Sequence, residues 1–195
     1  MELTRIRLWS SGYFGKANHF MAQQQYKDRI KILEDSEIDE LYGLPRFSPD
    51  ERAYYFSLTQ EERDIANSHR AQENRVLFIL QAGYFKAKTM FFSFEFNEVQ
   101  DDVRHILLQH FPLSADIRLS EPVLRQTKHA QQQKILALYG HRACNAAERA
   151  GLVEKAFQVV KISAKPIYLF QSLIHYMEAQ QIVVPGYSFL QDLVR

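Results

Sequence analysis

Helix-start signals recur along this chain, and few residues are present to interrupt what they begin: seven Gly and six Pro among 195 residues. Ser48 followed by Pro49, Asp50 and Glu51 supplies an N-cap, a residue pre-set for the first helical position, and two carboxylates at the positive end of the helix dipole. Thr59 and Glu62 form a capping box. Before them, Asp35 or Ser36 can cap an acidic stretch that Gly43 stops. Between such signals Gln, Leu, Ala, Lys and Glu sit at helical spacing, and strand-period segments are nearly absent. The reading is an all-α protein.

The next helix is expected from about Gln72 to Lys86. Its Val76, Leu77, Ile79, Leu80 and Tyr84 cover so much of its girth that it belongs at the centre of a core. Residues 90–96 (MFFSFEF) read as a connector that plugs aromatic rings into that core, with a strand as the rival reading. Asn97 is expected to cap a helix ending near Phe111 and Pro112, and Ser120 with Pro122 to start a long helix stopped by Gly140. Asn145 with Glu148, and then Pro166, announce two more. Leu169, Leu173, Ile174 and Met177 make a core stripe on the second, and a final short helix closes the chain. These elements divide into an extension (1–20), a first helical bundle (21–115) and a second (116–195), each bundle carrying a helix-turn-helix-like module. The apolar stripe of Leu190, Leu193 and Val194 has no C-terminal cap after it, which reads as a truncated second bundle.

Several chemistries lack their residues. The single Cys144 leaves no intrachain disulfide and too few thiolates for a zinc site, as in a reducing cytoplasm. The seven His residues show neither HxxxH nor HExxH spacing, and no Gly-rich phosphate loop occurs. Asp101 and Asp102 are adjacent and so point to different sides of a helix. His105 and His110 read as surface or helix-end residues. The longest apolar run, Val76–Leu80, falls far short of the roughly 20 residues a bilayer span needs. The expectation is a cytoplasmic, nucleoid-associated protein with no catalytic site, metal, cofactor or membrane contact.

The formal net charge of +1 hides two poles. Residues 34–64 hold three basic and ten acidic side chains, whereas residues 121–165 hold eight basic and three acidic. In the basic segment, nine hydrogen-bonding side chains from Arg125 to Lys134, Thr127, Gln131 and Gln133 among them, fall on about three turns of one helix, and Arg125, Gln126, Lys128, His129, Gln132 and Lys134 stand out as contacts. Arg and Lys neutralise phosphates, and amide side chains donate and accept together, as reading an adenine edge requires. Arg70, Gln72, Asn74 and Arg75 lie in a turn and at the start of the helix that follows, where helix-turn-helix modules meet DNA. With Lys86, Lys88 and Arg142 as further phosphate contacts, these are the candidate DNA-binding residues.

The segments ELYGLPRFSPDERAYYFSLTQEERD, NRVLFILQAGYFKAK and VRHILLQHF, followed by QQQKILALYGHR and IVVPGYSFLQDLV, resemble in order and spacing the N-terminal region of transposases of the Tn-three family, the replicative class II bacterial transposons. The resemblance covers roughly residues 34–195. It implies a pair of helical helix-turn-helix modules that bind the terminal inverted repeats sequence-specifically, with the DDE carboxylates, their metal ions and the RNase H-like fold lying farther downstream. The chain is then expected to bind double-stranded DNA at transposon ends without cutting it. Its other partners would be the remainder of the transposase and, in the full-length protein, a second copy. The rival expectation is a helical protein-interaction or dimerisation module.

Overall fold

A computed structural model describes residues 30–114 and 123–195. All regular structure among them is helical apart from one isolated bridge pairing Arg142 with Ile182. In chain order the helices are α1 (Asp35–Tyr42), α2 (Pro49–Tyr55), α3 (Gln60–Asn67), α4 (Gln72–Lys88), α5 (Gln100–His110), α6 (Arg125–Leu138), α7 (Ala146–Val160), α8 (Pro166–Ala179) and α9 (Tyr187–Val194). A 3-10 turn at Pro112–Ser114 follows α5. The expected extension at 1–20 and the helix-start signal at Ser120 and Pro122 lie outside the described residues.

Local start signals act where expected at α2 and α3, whose Ser48 and Thr59 close reciprocal capping boxes with Glu51 and Glu62. Helix α1 is capped by Glu34 and not by Asp35 or Ser36, because Glu34 and Glu37 close the box one residue earlier. Asn97 does not cap α5. A turn over residues 96–99 intervenes, in which the Glu95 amide donates to the Glu98 carboxylate, and the helix starts at Gln100. Asn145 accepts the Ala147 and Glu148 amides, but Glu148 turns away from the cap to pair with Arg142. Residues 91–95 form a connector without helix or strand, with the Phe94 ring buried.

Two hydrophobic cores form. The first surrounds α4, whose Val76–Phe85 stretch is buried throughout, with Phe56, Ile106, Ile135 and Leu136 against it. Phe56 packs so closely that a Cβ on Gly83 would stand 2.4 Å from its ring. The second core joins Leu152, Leu169, Phe170, Leu173, Met177 and Leu190, and also takes Leu33. Core membership therefore crosses the expected boundary at residue 115: α6 packs with the first core, and the segment leading into α1 packs with the second.

Polar groups on α4 fix the surrounding helices. Lys86 meets the carboxylate of Glu62, which is 2% exposed, at 3.0 Å; the Tyr139 hydroxyl and the Thr59 amide donate to the same carboxylate. Asp102, also buried, accepts from Arg52 Nε and Tyr84 Oη, each at 2.6 Å, while Asp101 stays exposed. Gln81 Nε2 donates to Gln131 Oε1 at 2.8 Å, and Gln131 Nε2 donates to the Asn74 carbonyl at 2.7 Å. His110, the last residue of α5, meets the Phe56 carbonyl at 2.8 Å and is partly buried. Partly buried His105 packs beside the Phe56 ring.

Burial alone would raise the pKa of Glu62, but the hydrogen bonds from Tyr139, Thr59 and Lys86 outweigh it and hold the carboxyl below its ordinary value of 4.5. Its stabilising contribution is complete above that value and is lost as pH falls through the lower folded-state value. Replacing Glu62→Ala leaves Lys86 without its partner and is expected to cost about 3 kcal/mol in urea unfolding, with a flattened stability profile on the acid side. Gln131→Leu strands the amide of Gln81 and the Asn74 carbonyl. It is expected to cost about 2 kcal/mol, read as a lowered Tm, because buried polar groups lose their partners.

Candidate nucleic-acid interface

The face that α6 turns inward dictates what it turns outward. Gln131, Ile135 and Leu136 are buried, so Arg125, Gln126, His129 and Lys134 are exposed, and Lys128 and Gln132 lie half-buried at the flanks. Five of these side chains, Arg125, Gln126, Lys128, His129 and Gln132, line an open groove of about 720 Å³. Leu77, Gln81 and the connector's Phe91, Phe92 and Phe94 line its apolar side.

The turn between α3 and α4 meets the same helix. Gln131, 0% exposed, reaches the Asn74 carbonyl and lies 3.4 Å from His69 Nε2. Burial, reinforced by the positive charges of Lys134 and Arg75, holds the His69 pKa below its ordinary value. Arg75 is tied to the His69 carbonyl at 2.7 Å and braces the turn, while Arg70 stands exposed. Asn74 engages through its backbone carbonyl, and Gln72 sits in the first turn of α4 with a buried Nε2 that has no hydrogen-bond partner among the described residues. The two segments expected to serve separate modules thus form one continuous surface.

Three cations expected at phosphates are engaged within the protein. Lys86 is held by Glu62 and by the Ser57 carbonyl at 2.7 Å. Lys88 donates to the carbonyls of Glu40 and Gly43 at 2.7 and 2.8 Å, at the carbonyl-rich end of α1, and burial lowers its pKa. Arg142 pairs with Glu148 at 2.8 Å and donates to the Gln180 carbonyl. By contrast, Arg70, Arg125, Lys128 and Lys134 have no ion-pair partner among the described residues.

His69 and Gln131 are the hub of this surface; His69 is not among the candidates from sequence, and Gln131 figures there only as one of the outward hydrogen-bonding side chains of the helix, whereas it is buried. The signal for Gln131 was its place one helical turn before buried Ile135. A second outward row escaped notice on α8: Lys165, Tyr168, Gln171 and His175 are exposed opposite the Leu169, Leu173 and Met177 stripe.

No cluster of three or more His, Cys, Asp or Glu side chains among the described residues is placed to hold a metal ion. No helix among them is long and apolar enough to cross a membrane. Burial raises the pKa of the Cys144 thiol, which keeps it a poor nucleophile.

No curated protein matches this chain. The model of one family, described as a domain of unknown function (DUF4158), matches residues 32–195, a span that takes in both cores, and the chain belongs to that family.

Proposed function

We propose that this chain is the end-binding portion of a transposase, contacting duplex DNA at the transposon's terminal inverted repeats through the surface built by α6 and the α3–α4 turn. The observation that carries the reading is the convergence of Arg70, Arg125, Lys128 and Lys134, all without internal ion pairs among the described residues, around the Gln131 hub. The resemblance to Tn-three family transposases over residues 34–195 supports it, as does the occurrence of this domain family in transposase-associated proteins.

A major groove about 12 Å wide admits one helix. In this reading α6 enters it. Arg125, Gln126, His129 and Gln132 face base edges, where guanidinium and amide groups can make paired hydrogen bonds. Exposed Ala130 keeps the helix slim on the approaching side. Arg70, Lys128 and Lys134 neutralise phosphates on the flanks. Arg75 and Gln131 set the geometry without touching DNA.

A fluorescence-anisotropy titration against end-repeat and scrambled duplexes at several salt concentrations tests this. Lys134→Ala is expected to weaken binding to both duplexes and to lower the log–log salt slope by about one unit, the signature of one lost phosphate contact. Arg125→Ala is expected to cost about 1–3 kcal/mol on the end repeat and to narrow the gap to the scrambled duplex. Lys88→Gln is expected to lower the Tm while leaving the salt slope unchanged. Equal affinity of the unaltered protein for both duplexes overturns the specific-binding reading.

A further inference from the structure

Helix α7 carries a surface that the DNA reading leaves unused. Its Leu152, Ala156 and Val159 are buried in the second core. On another side, Ala146, Ala150, Val153, Phe157 and Val160 recur at spacings of four, three, four and three, the seam of a coiled-coil heptad. All five are exposed, Phe157 at 69%. The turn that follows adds Ile162 at 77%, and α8 begins with exposed Ile167 and Tyr168. None of these residues lines the groove beside α6.

We propose that this face docks a second copy of the same chain, the two α7 helices lying antiparallel about a two-fold axis. The seam is graded in size, small at its Ala146 and Ala150 end and bulky at its Phe157 and Val160 end. An antiparallel pair sets Ala150 against Val160 of the second copy and Val153 against Phe157 of the second copy, then repeats both contacts by symmetry, so the interface closes on itself. A parallel pair stacks Phe157 on its own equivalent and leaves a gap between the alanines.

The exposed apolar side chains from Val153 to Tyr168 leave on the order of 500 Å² uncovered, and a polar margin including Glu154 and Lys161 extends this toward the ~800 Å² per partner of a standard interface. That area fits a reversible dimer. Charge within α7 is balanced, Glu148 and Glu154 against Arg149 and Lys155, so the seam itself carries no net charge to oppose an identical helix. Pairing would also join two DNA surfaces and raise apparent affinity for paired sites. The dimer itself does not depend on the DNA reading.

Sedimentation velocity of the full chain from about 1 to about 200 μM spans the range in which a face this size associates reversibly. The expected result is a concentration-dependent shift from monomer to dimer mass. Phe157→Glu and Ala150→Glu change exposed positions, so both are expected to keep the wild-type helical circular dichroism and affinity for an isolated DNA site. Each is expected to raise the dimer dissociation constant at least tenfold. A chain that stays monomeric throughout, or a dimer that both variants leave undiminished, overturns the proposal. Loss of DNA binding with dimerisation intact would instead count against the function proposed above.

Discussion

A buried amide decides which way α6 faces. Hydrophobic contact is non-directional, and Ile135 with Leu136 would tolerate some rotation of the helix against α4. Gln131 does not. Its Nε2 must point to the Asn74 carbonyl, its Oε1 then faces Gln81 Nε2, and any rotation leaves buried polar groups without partners. The outward arc from Arg125 to Lys134 is therefore set from inside the protein. The same logic holds around the rest of α4, where Tyr84 binds Asp102, Lys86 binds Glu62, and Lys88 closes the end of α1. Each bond recruits a different element to one central helix.

What could be read from the sequence followed the range of the interaction responsible. Ser48 and Thr59 were legible because a capping box closes within four residues. The central place of α4 was legible because its apolar residues nearly encircle it. The internal partners of Lys86 and Lys88 were not legible, because they lie 24 to 48 residues earlier in the chain and a contact across that distance leaves no local pattern. Gln131 was hidden in a run of three glutamines, where only the phase of Ile135 separates the inward side chain from the outward ones. The membership of the two cores was hard to read for a related reason. Residues 112–120 resemble a linker between modules, yet the helix beyond them packs back on the first core.

The acidic early segment is partly consumed inside, with Glu62 neutralised by Lys86. Four cations without an ion pair among the described residues, Arg70, Arg125, Lys128 and Lys134, lie on or beside α6, and six exposed large apolar side chains from Val153 to Tyr168 lie on α7, the turn after it and the start of α8. Two kinds of contact can thus occur on one chain without competing for side chains.

The segment at 30–33 joins the far end of the sequence. Backbone amides of Ile32 and Leu33 both donate to the Tyr187 hydroxyl, and Gln191 donates to the Ile30 carbonyl at 2.9 Å. Immediately downstream, α1 sends Ile38 and Tyr42 into the second core while Lys88 of the first core grips its last turn. The helix therefore acts as a clasp between regions distant in sequence. Dissecting the molecule at its middle linker would cut through shared parts, since each excised half would lack an element that completes it.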